Sequence, residues 1–330
     1  MFKLSDIQRG LFLPFFLTLL FLPLSGCDKP DVAPADKFVV GIININSGVK
    51  PVIEGFKEKL TELSERDDRV LEIIEPPVFT DLDVDKALLT LKDRGVDLVL
   101  TAATSPTTKA SKVFEDTDTT VIFAPIYDPV RSGVIEGLEK ASEQITGVKV
   151  GGSNYKSLAF LKQAKPDLKK ILVPWSGMCM VEGFSLTDLQ AAAAKLDIKL
   201  VVAKIQSVNE LRHKLDSLSE DIDAVWLLHS TFLVPNYQLF VDATIKNKIL
   251  LASGTGLGSK GVMISYGPDF KQTGYKAAHL ANQIAKGHSV KELPVIESEF
   301  FLTINMDSVN SAAIELPLEF IHQADFILKE

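Results

Sequence analysis

The chain has 330 residues, with 43 acidic and 35 basic side chains and a formal net charge of −8. An acidic chain repels phosphate backbones, so nucleic acid is excluded as the expected partner. Its two cysteines are too few for a disulfide framework. The length exceeds what one hydrophobic core usually covers, so two lobes are expected.

The first 26 residues have the layout of a secretory signal peptide. Lys3 and Arg9 stand in a short polar start, and an apolar run follows over 11–24. The run ends in Leu24-Ser25-Gly26-Cys27, which resembles a bacterial lipobox, in which the cysteine is diacylated. We therefore expect lipidation at Cys27, a lipid-anchored tether over 27–37, and a protein exported to the outer face of the cytoplasmic membrane, the periplasmic side in a Gram-negative cell.

From residue 38 onward, short β-branched runs alternate with helical patterns. The predicted strands are 38–45, 70–74, 98–101, 120–124, 145–150, 171–174, 199–204, 224–228, 249–252 and 262–266. The predicted helices are 49–67, 83–94, 106–116, 130–141, 155–165, 186–196, 208–218, 235–247, 270–286 and 307–315. This alternation predicts an α/β fold built on parallel sheets with helices on both faces.

The sequence contains no P-loop, HExxH, CxxC pair or nucleophile elbow, which favours a protein that is not an enzyme and carries no cofactor. The segment from Gly256 to Gly261 has the letters of a dinucleotide fingerprint, but it runs into a predicted strand and is interpreted as a glycine-rich turn. None of the five histidines shows metal-ligand spacing, so no metal is expected. His229 ends a buried strand, where a core role and a pocket role both remain open.

Polar residues recur where the predicted strands end, and ligands of open α/β sheets bind at that edge. Hydroxyl, amide and aromatic side chains dominate there, which suits reversible capture of a small molecule. The candidate ligand-binding residues are Asn46, Ser47, Thr104, Ser105, Tyr127, Asp128, Trp175, Ser176, His229, Ser230, Ser253 and Asp269.

Several stretches from residue 120 onward follow, in order and spacing, the pattern of one known family. They are 120–129 (TVIFAPIYDP) with Gly133, 145–148 (ITGV), 188–200, 287–294, 304–305 and 317–327. In these stretches the chain resembles the ABC-transporter substrate-binding family, whose members include tryptophan and tyrosine binders. It departs from that family's pattern around Trp175 and Met178-Cys179-Met180.

The resemblance implies a type I periplasmic-binding-protein-like fold, two doubly wound parallel-sheet lobes joined by crossing strands. Residues 38–147 would form lobe 1 and 148–266 lobe 2. Residues 267–299 would return to lobe 1, and 300–330 would hold the final crossing strand and the C-terminal helices.

The resemblance also implies a monomeric substrate-binding lipoprotein of an ABC importer. It would capture a small solute, such as an aromatic amino acid, between the lobes and interact with an ABC permease in the membrane. An extracytoplasmic ligand-sensing lipoprotein for a membrane signalling partner is the alternative.

An amino-acid ligand brings two charges that need partners when buried. Asp128 and Asp269 are the only carboxylates at the predicted strand ends, so either could receive the ammonium, although each also precedes a helix that it could cap. The ligand carboxylate would be met by Ser47, Thr104 or Ser105 and by neighbouring backbone N–H groups, where the helix that starts near Pro106 adds a favourable dipole. Tyr127 and Trp175 would form apolar walls for an aromatic ring.

Overall fold

The computed structural model describes residues 37–45, 47–138 and 143–329. The expected signal peptide, the lipidation site Cys27, the tether up to residue 36 and the candidate ligand residue Asn46 lie outside the described residues. The described residues belong to one compact unit.

Strands and helices alternate along the chain, as the sequence pattern predicts. The strands are β1 (Lys37–Asn44), β2 (Val70–Ile74), β3 (Leu98–Ala102), β4 (Thr120–Ile126), β5 (Ile145–Lys149), β6 (Lys170–Trp175), β7 (Lys199–Lys204), β8 (Ala224–Leu227), β9 (Leu250–Ser253), β10 (Ile264–Pro268), β11 (Ile296–Glu297), β12 (Phe300–Asn305) and β13 (Phe326–Leu328). The α-helices are α1 (Lys50–Arg66), α2 (Asp81–Asp93), α3 (Thr104–Phe114), α4 (Asn154–Ala164), α5 (Met180–Lys195), α6 (Val208–Asp216), α7 (Tyr237–Asn247), α8 (Phe270–Ala285), α9 (Met306–Ser311) and α10 (Leu318–Ile321).

These elements form two sheets, each with its own helices. The six-stranded sheet has the order β11-β5-β4-β3-β1-β2 and is parallel throughout. With α1, α2, α3 and α8 it forms lobe 1. The seven-stranded sheet of lobe 2 has the order β13-β12-β10-β9-β8-β6-β7 and is parallel except where β12 pairs with β10. The predicted α/β class with two parallel-sheet lobes is confirmed.

Helices cover both faces of the lobe 1 sheet, so β3 and β4 are buried along their whole length. On one face α1 buries Val52, Phe56 and Leu60 against α8. The two helices approach so closely that a Cβ on Gly274 would lie 2.1 Å from the Val52 carbonyl oxygen. Glycine is therefore required at this crossing.

The chain passes three times between the two lobes. It leaves lobe 1 after β5, returns between β10 and α8, and crosses again between β11 and β12. Because the third passage brings β12 into lobe 2 from the opposite direction, its pairing with β10 is antiparallel. Each sheet therefore turns the carboxyl ends of most of its strands toward the other lobe.

One predicted helix is absent from the structure and another begins earlier than predicted. Residues 129–138 form turns, although the sequence predicts a helix over 130–141. Gly133 adopts a left-handed φ of 69° there, which ends any regular helix, and Val134 and Ile135 are buried beneath the turns. Helix α5 begins at Met180, earlier than the predicted residue 186. No helix among the described residues has the length and hydropathy of a transmembrane segment.

Candidate functional site

A cavity of about 470 Å³ lies between the lobes, at the carboxyl ends of β1, β8 and β9. Lobe 1 contributes the first turns of α1 and α8, and lobe 2 contributes the loops that follow β8 and β9. Its size and its largely apolar wall are typical of a small-molecule site. The lining residues are Gly48, Val49, Lys50, Pro51, His229, Ser230, Thr231, Val234, Pro235, Tyr237, Thr255, Leu257, Lys260 and Phe270.

His229 follows β8 and forms part of this cavity wall. Burial lowers the pKa of the His229 imidazole to about 4, so the ring is neutral at neutral pH. Its ring nitrogens make no hydrogen bond with the described part of the chain. The ring packs against Tyr127 of lobe 1, with the two ring centres 5.9 Å apart. Of the two positions that the sequence leaves open for His229, core or pocket, the structure places the residue on a cavity wall, and its contact with a ligand stays a prediction.

The hydroxyl groups near the cavity are used mostly by the protein itself. The Ser230 hydroxyl accepts hydrogen bonds from the backbone N–H groups of Phe232 and Leu233, which shapes the loop after β8. The Ser253 hydroxyl donates to the Leu227 carbonyl oxygen and also bonds to the Thr255 hydroxyl at 2.6 Å. Of these residues Ser230 and Thr255 line the cavity, and Ser253 supports it from behind.

A second cavity of about 420 Å³ adjoins the first near the crossing between β10 and α8. Leu257, Lys260 and Phe270 border both cavities. Asp269 lines the second cavity, where one carboxylate oxygen, Oδ1, accepts a hydrogen bond from the Gln272 N–H and caps α8. The capping role that the sequence allows for Asp269 is therefore present, and the other carboxylate oxygen makes no hydrogen bond with the described residues.

Beyond Tyr127, an ionic network joins the lobes through Asp188 of α5. The Arg131 guanidinium of lobe 1 donates to both Asp188 oxygens, at 3.0 and 2.6 Å. The Tyr127 hydroxyl also donates to Asp188, at 3.0 Å, and accepts from the Asn154 amide at 3.1 Å. The Arg131 guanidinium lies 4.7 Å from the centre of the Phe184 ring, a cation–π contact.

The charges in this network stabilise one another. Burial and the nearby Asp188 carboxylate raise the pKa of the Tyr127 hydroxyl, and the hydrogen bonds from Arg131 to Asp188 raise the pKa of the guanidinium. Burial acts to raise the pKa of Asp128, but hydrogen bonds from Arg131 outweigh it and lower that pKa. Both Asp128 oxygens bind Arg131, through its backbone N–H and its Nε. Asp128 is therefore occupied within lobe 1.

Trp175 ends β6 in lobe 2 and Ser176 follows it, and neither residue lines either cavity. The Ser176 backbone N–H and hydroxyl both donate to the fully buried Glu182 carboxylate, which also accepts from the Gly177 N–H. The buried indole nitrogen of Trp175 has no hydrogen-bond partner among the described residues.

The predicted lobe 1 residues Thr104 and Ser105 begin α3. The Ser105 hydroxyl donates to Asp81 of α2, so it is engaged within lobe 1. Ser47 lies in a short 3-10 helix before α1, next to the cavity-lining Gly48.

The structure thus brings His229 and Ser230 together in the first cavity, adds Tyr127 behind His229, and sets Asp269 in the second. Two further carboxylates that no sequence pattern singled out, Glu182 and Asp188, lie within α5 and not at a strand end. Glu182 lay in a predicted loop because the start of α5 was set too late. Tyr237, Lys260 and Phe270 were likewise not among the sequence candidates, although the glycine-rich segment before Gly261 was a signal for Lys260. Among the described residues no group of three or more His, Cys, Asp or Glu side chains is arranged to hold a metal ion.

Two parallel α/β lobes, three crossings and a cavity between facing strand ends define a type I periplasmic-binding-protein-like fold, a class that captures ligands between its lobes. The model of the ABC transporter substrate binding protein family matches residues 39–327, and the chain belongs to that family. The family is one of substrate-binding proteins and not of enzymes, in agreement with the sequence analysis.

Similar proteins include one curated relative and two solved structures that are informative here. A tyrosine-binding protein of Clostridioides difficile is 28% identical over 196 residues, which span 59% of this chain and 57% of that relative. A Streptococcus pneumonia ABC domain in complex with L-Trp has a TM-score of 0.75 at 19% identity, with 89% of this chain and 100% of that chain covered. The ligand-free, open structure of a substrate binding protein of Clostridium difficile has a TM-score of 0.73 at 19% identity, with 90% of this chain and 100% of that chain covered. At such identities the structural likeness concerns the fold.

Proposed function

We propose that this protein is the substrate-binding lipoprotein of an ABC importer and that it captures an aromatic amino acid between its lobes. One observation carries the proposal: the 470 Å³ interlobe cavity has aromatic and apolar walls contributed by both lobes. The names of the similar proteins, a tyrosine binder and a complex with L-Trp, support this ligand class.

The ring of the ligand would lie among Val234, Pro235, Tyr237, Phe270 and His229. These side chains come from both lobes, so a ligand that contacts them all favours the closed arrangement by its differential affinity. An aromatic ring packed on Tyr237 or Phe270 gains about 0.5–1.5 kcal/mol beyond the area it buries. His229 is neutral at neutral pH and adds no charge against the ring.

The ligand ammonium needs a carboxylate partner, and the two sequence candidates differ in the structure. Both oxygens of Asp128 are bound by Arg131. Asp269 uses Oδ1 for its helix and lines the second cavity, next to Lys260 and Phe270 of the first. Asp269 is therefore our candidate for the ammonium partner.

Membrane attachment belongs to the same proposal. The lipobox resemblance at Cys27 and membership of an ABC transporter family support export, a lipid anchor and an ABC permease as partner. Replacing the lipidated cysteine, as Cys27→Ser, should release the mature protein from membranes, because anchoring would rest on acyl chains. A Cys27→Ser protein that still sediments with membranes would contradict the anchor.

The ligand is tested by native mass spectrometry of the purified protein, followed by calorimetry with L-tyrosine and L-tryptophan. Asp269→Asn keeps a helix-capping oxygen but removes the charge, and should weaken binding by about 2 kcal/mol, roughly thirtyfold. Asp128→Asn is the matched control and should change affinity by less than about threefold. Equal loss in the two variants would contradict the assignment of Asp269, and a wild-type protein that binds neither amino acid would overturn the proposed ligand.

A further inference from the structure

The glycine-rich segment between β9 and β10 has a structural purpose that its nucleotide-like letters do not indicate. Gly256 and Gly261 adopt left-handed φ angles of 68° and 87°, and a 3-10 helix over Gly258–Lys260 lies between them. The segment presses on the crossing strand β10, where a Cβ on Gly267 would lie 2.0 Å from the Gly256 nitrogen. This tight turn presents Lys260 at the border of the two cavities.

The exposed Lys260 ammonium has no counter-ion among the described residues: it makes no ion pair or side-chain hydrogen bond with them. Its side-chain contact within that part of the chain is with the Tyr237 ring, whose centre lies 5.7 Å from Nζ. The other cation in the first cavity, Lys50, forms an ion pair with Glu54 at 3.4 Å. The described residues that line that cavity include no carboxylate.

We propose that Lys260 binds the carboxylate of the ligand, so that the site selects for small aromatic molecules that carry an acid group. This inference rests on the proposed function and deepens it. Lys260 lies at the edge of an aromatic cavity. When the ring of a ligand lies inside this cavity, an anionic group on the same ligand can form a charge-assisted hydrogen bond with the Lys260 ammonium. The first turn of α1 borders the same cavity and has no acidic side chain, so its dipole adds to the attraction.

The same geometry gives the ligand an orientation. The ring enters the first cavity, the carboxylate meets Lys260 at the border, and the ammonium faces Asp269 in the second cavity. In this orientation Lys260, and not the Ser105 hydroxyl expected from the sequence, binds the ligand carboxylate. The Ser105 hydroxyl donates to Asp81 instead.

The test compares an acid with its amide in the full-length protein by calorimetry. Wild type should bind L-tryptophan at least about tenfold more tightly than L-tryptophanamide, which keeps the ring and the ammonium but lacks the carboxylate. Lys260→Met should lose about tenfold in affinity for L-tryptophan and bind the amide as wild type does. Lys195→Met, which changes an exposed lysine at the end of α5, is the control and should preserve both affinities.

The outcomes separate the two proposals. A Lys260→Met protein that keeps the wild-type preference for the acid, with an unchanged melting temperature, overturns the role of Lys260 alone. A wild-type protein that binds neither L-tryptophan nor L-tyrosine overturns the proposed function, and this inference with it. Equal loss for acid and amide in Lys260→Met also overturns the inference, because it indicates a general loss of packing on Tyr237.

Discussion

The two sides of the interlobe region handle their polar groups differently. On the α5 side, Asp188 of lobe 2 binds Arg131 and Tyr127 of lobe 1, and Arg131 also binds Asp128. On the side of α1 and α8, the cavity wall has an unpaired ammonium at Lys260 and an imidazole at His229 without a hydrogen bond to the described residues. On the α5 side the charged groups of the two lobes thus bind one another, whereas on the α1 and α8 side Lys260 and His229 have polar groups without a hydrogen bond to the described residues.

The difference separates structural polar groups from available ones. A charge already bound by the protein gains little from a ligand, because the ligand must first replace an existing partner. An unpaired group gains a full charge-assisted hydrogen bond. A polar residue type at a strand end therefore does not by itself indicate a ligand contact. Whether the protein already hydrogen-bonds that side chain is the better criterion for choosing candidate site residues.

The largest effect is expected from Glu182→Ala on the α5 side. The buried carboxylate accepts three hydrogen bonds from Ser176 and Gly177, and its removal leaves those donors without a partner. The free energy of unfolding should fall by about 2–4 kcal/mol, measured by urea denaturation. Glu62→Ala, which removes an exposed ion pair with Lys59, should cost less than about 0.5 kcal/mol. Similar losses in the two variants would contradict the structural role of Glu182.

Asp188→Asn should have an intermediate effect, because it weakens the contact between the lobes without opening a void. Arg131 and Asp188 are each about one-third exposed, so the expected loss of unfolding free energy is about 1–2 kcal/mol, below that of a fully buried pair. Ligand affinity should stay within about threefold of wild type. A tenfold loss of affinity with unchanged stability would place the α5 side in the binding site and break the comparison.

The smallest effect is expected from the titration of His229. Its pKa is lowered to about 4 in the folded protein, below the ordinary value of 6.5, so the unfolded chain binds more protons between these values. The stabilisation is complete above pH 6.5 and is lost as pH falls toward 4. Between pH 7 and 5.5 the free energy of unfolding of the wild-type protein should fall more than that of His229→Gln, by about 1 kcal/mol or less. The exposed His213→Gln control should follow wild type, and an unchanged slope in His229→Gln would contradict the burial of the ring.

Much of the fold could be predicted from local patterns, since the ten predicted strands each coincide with an observed strand to within two residues at either end. The helix at 130–141 failed because Val134 and Ile135 are buried under turns with the same apolar spacing that a helix would show. The site was less predictable. His229 and Asp269 stood at strand ends and could be named, but the partnership of Arg131 with Asp188 joins residues of different lobes, and no local pattern encodes it.

The two tryptophans of the chain occupy contrasting environments, which makes the protein its own optical reporter. Trp226 in β8 is 1% exposed, at the centre of the lobe 2 core, so its emission should depend little on the lobe arrangement. Trp175 ends β6, is partly exposed and has an indole N–H without a hydrogen-bond partner in the described residues. Such an N–H gives an emission maximum that shifts when water or another chain segment reaches it. A Trp226→Phe protein would therefore contain a single tryptophan, at the carboxyl end of β6, and its emission could be followed in a titration with L-tyrosine without a label.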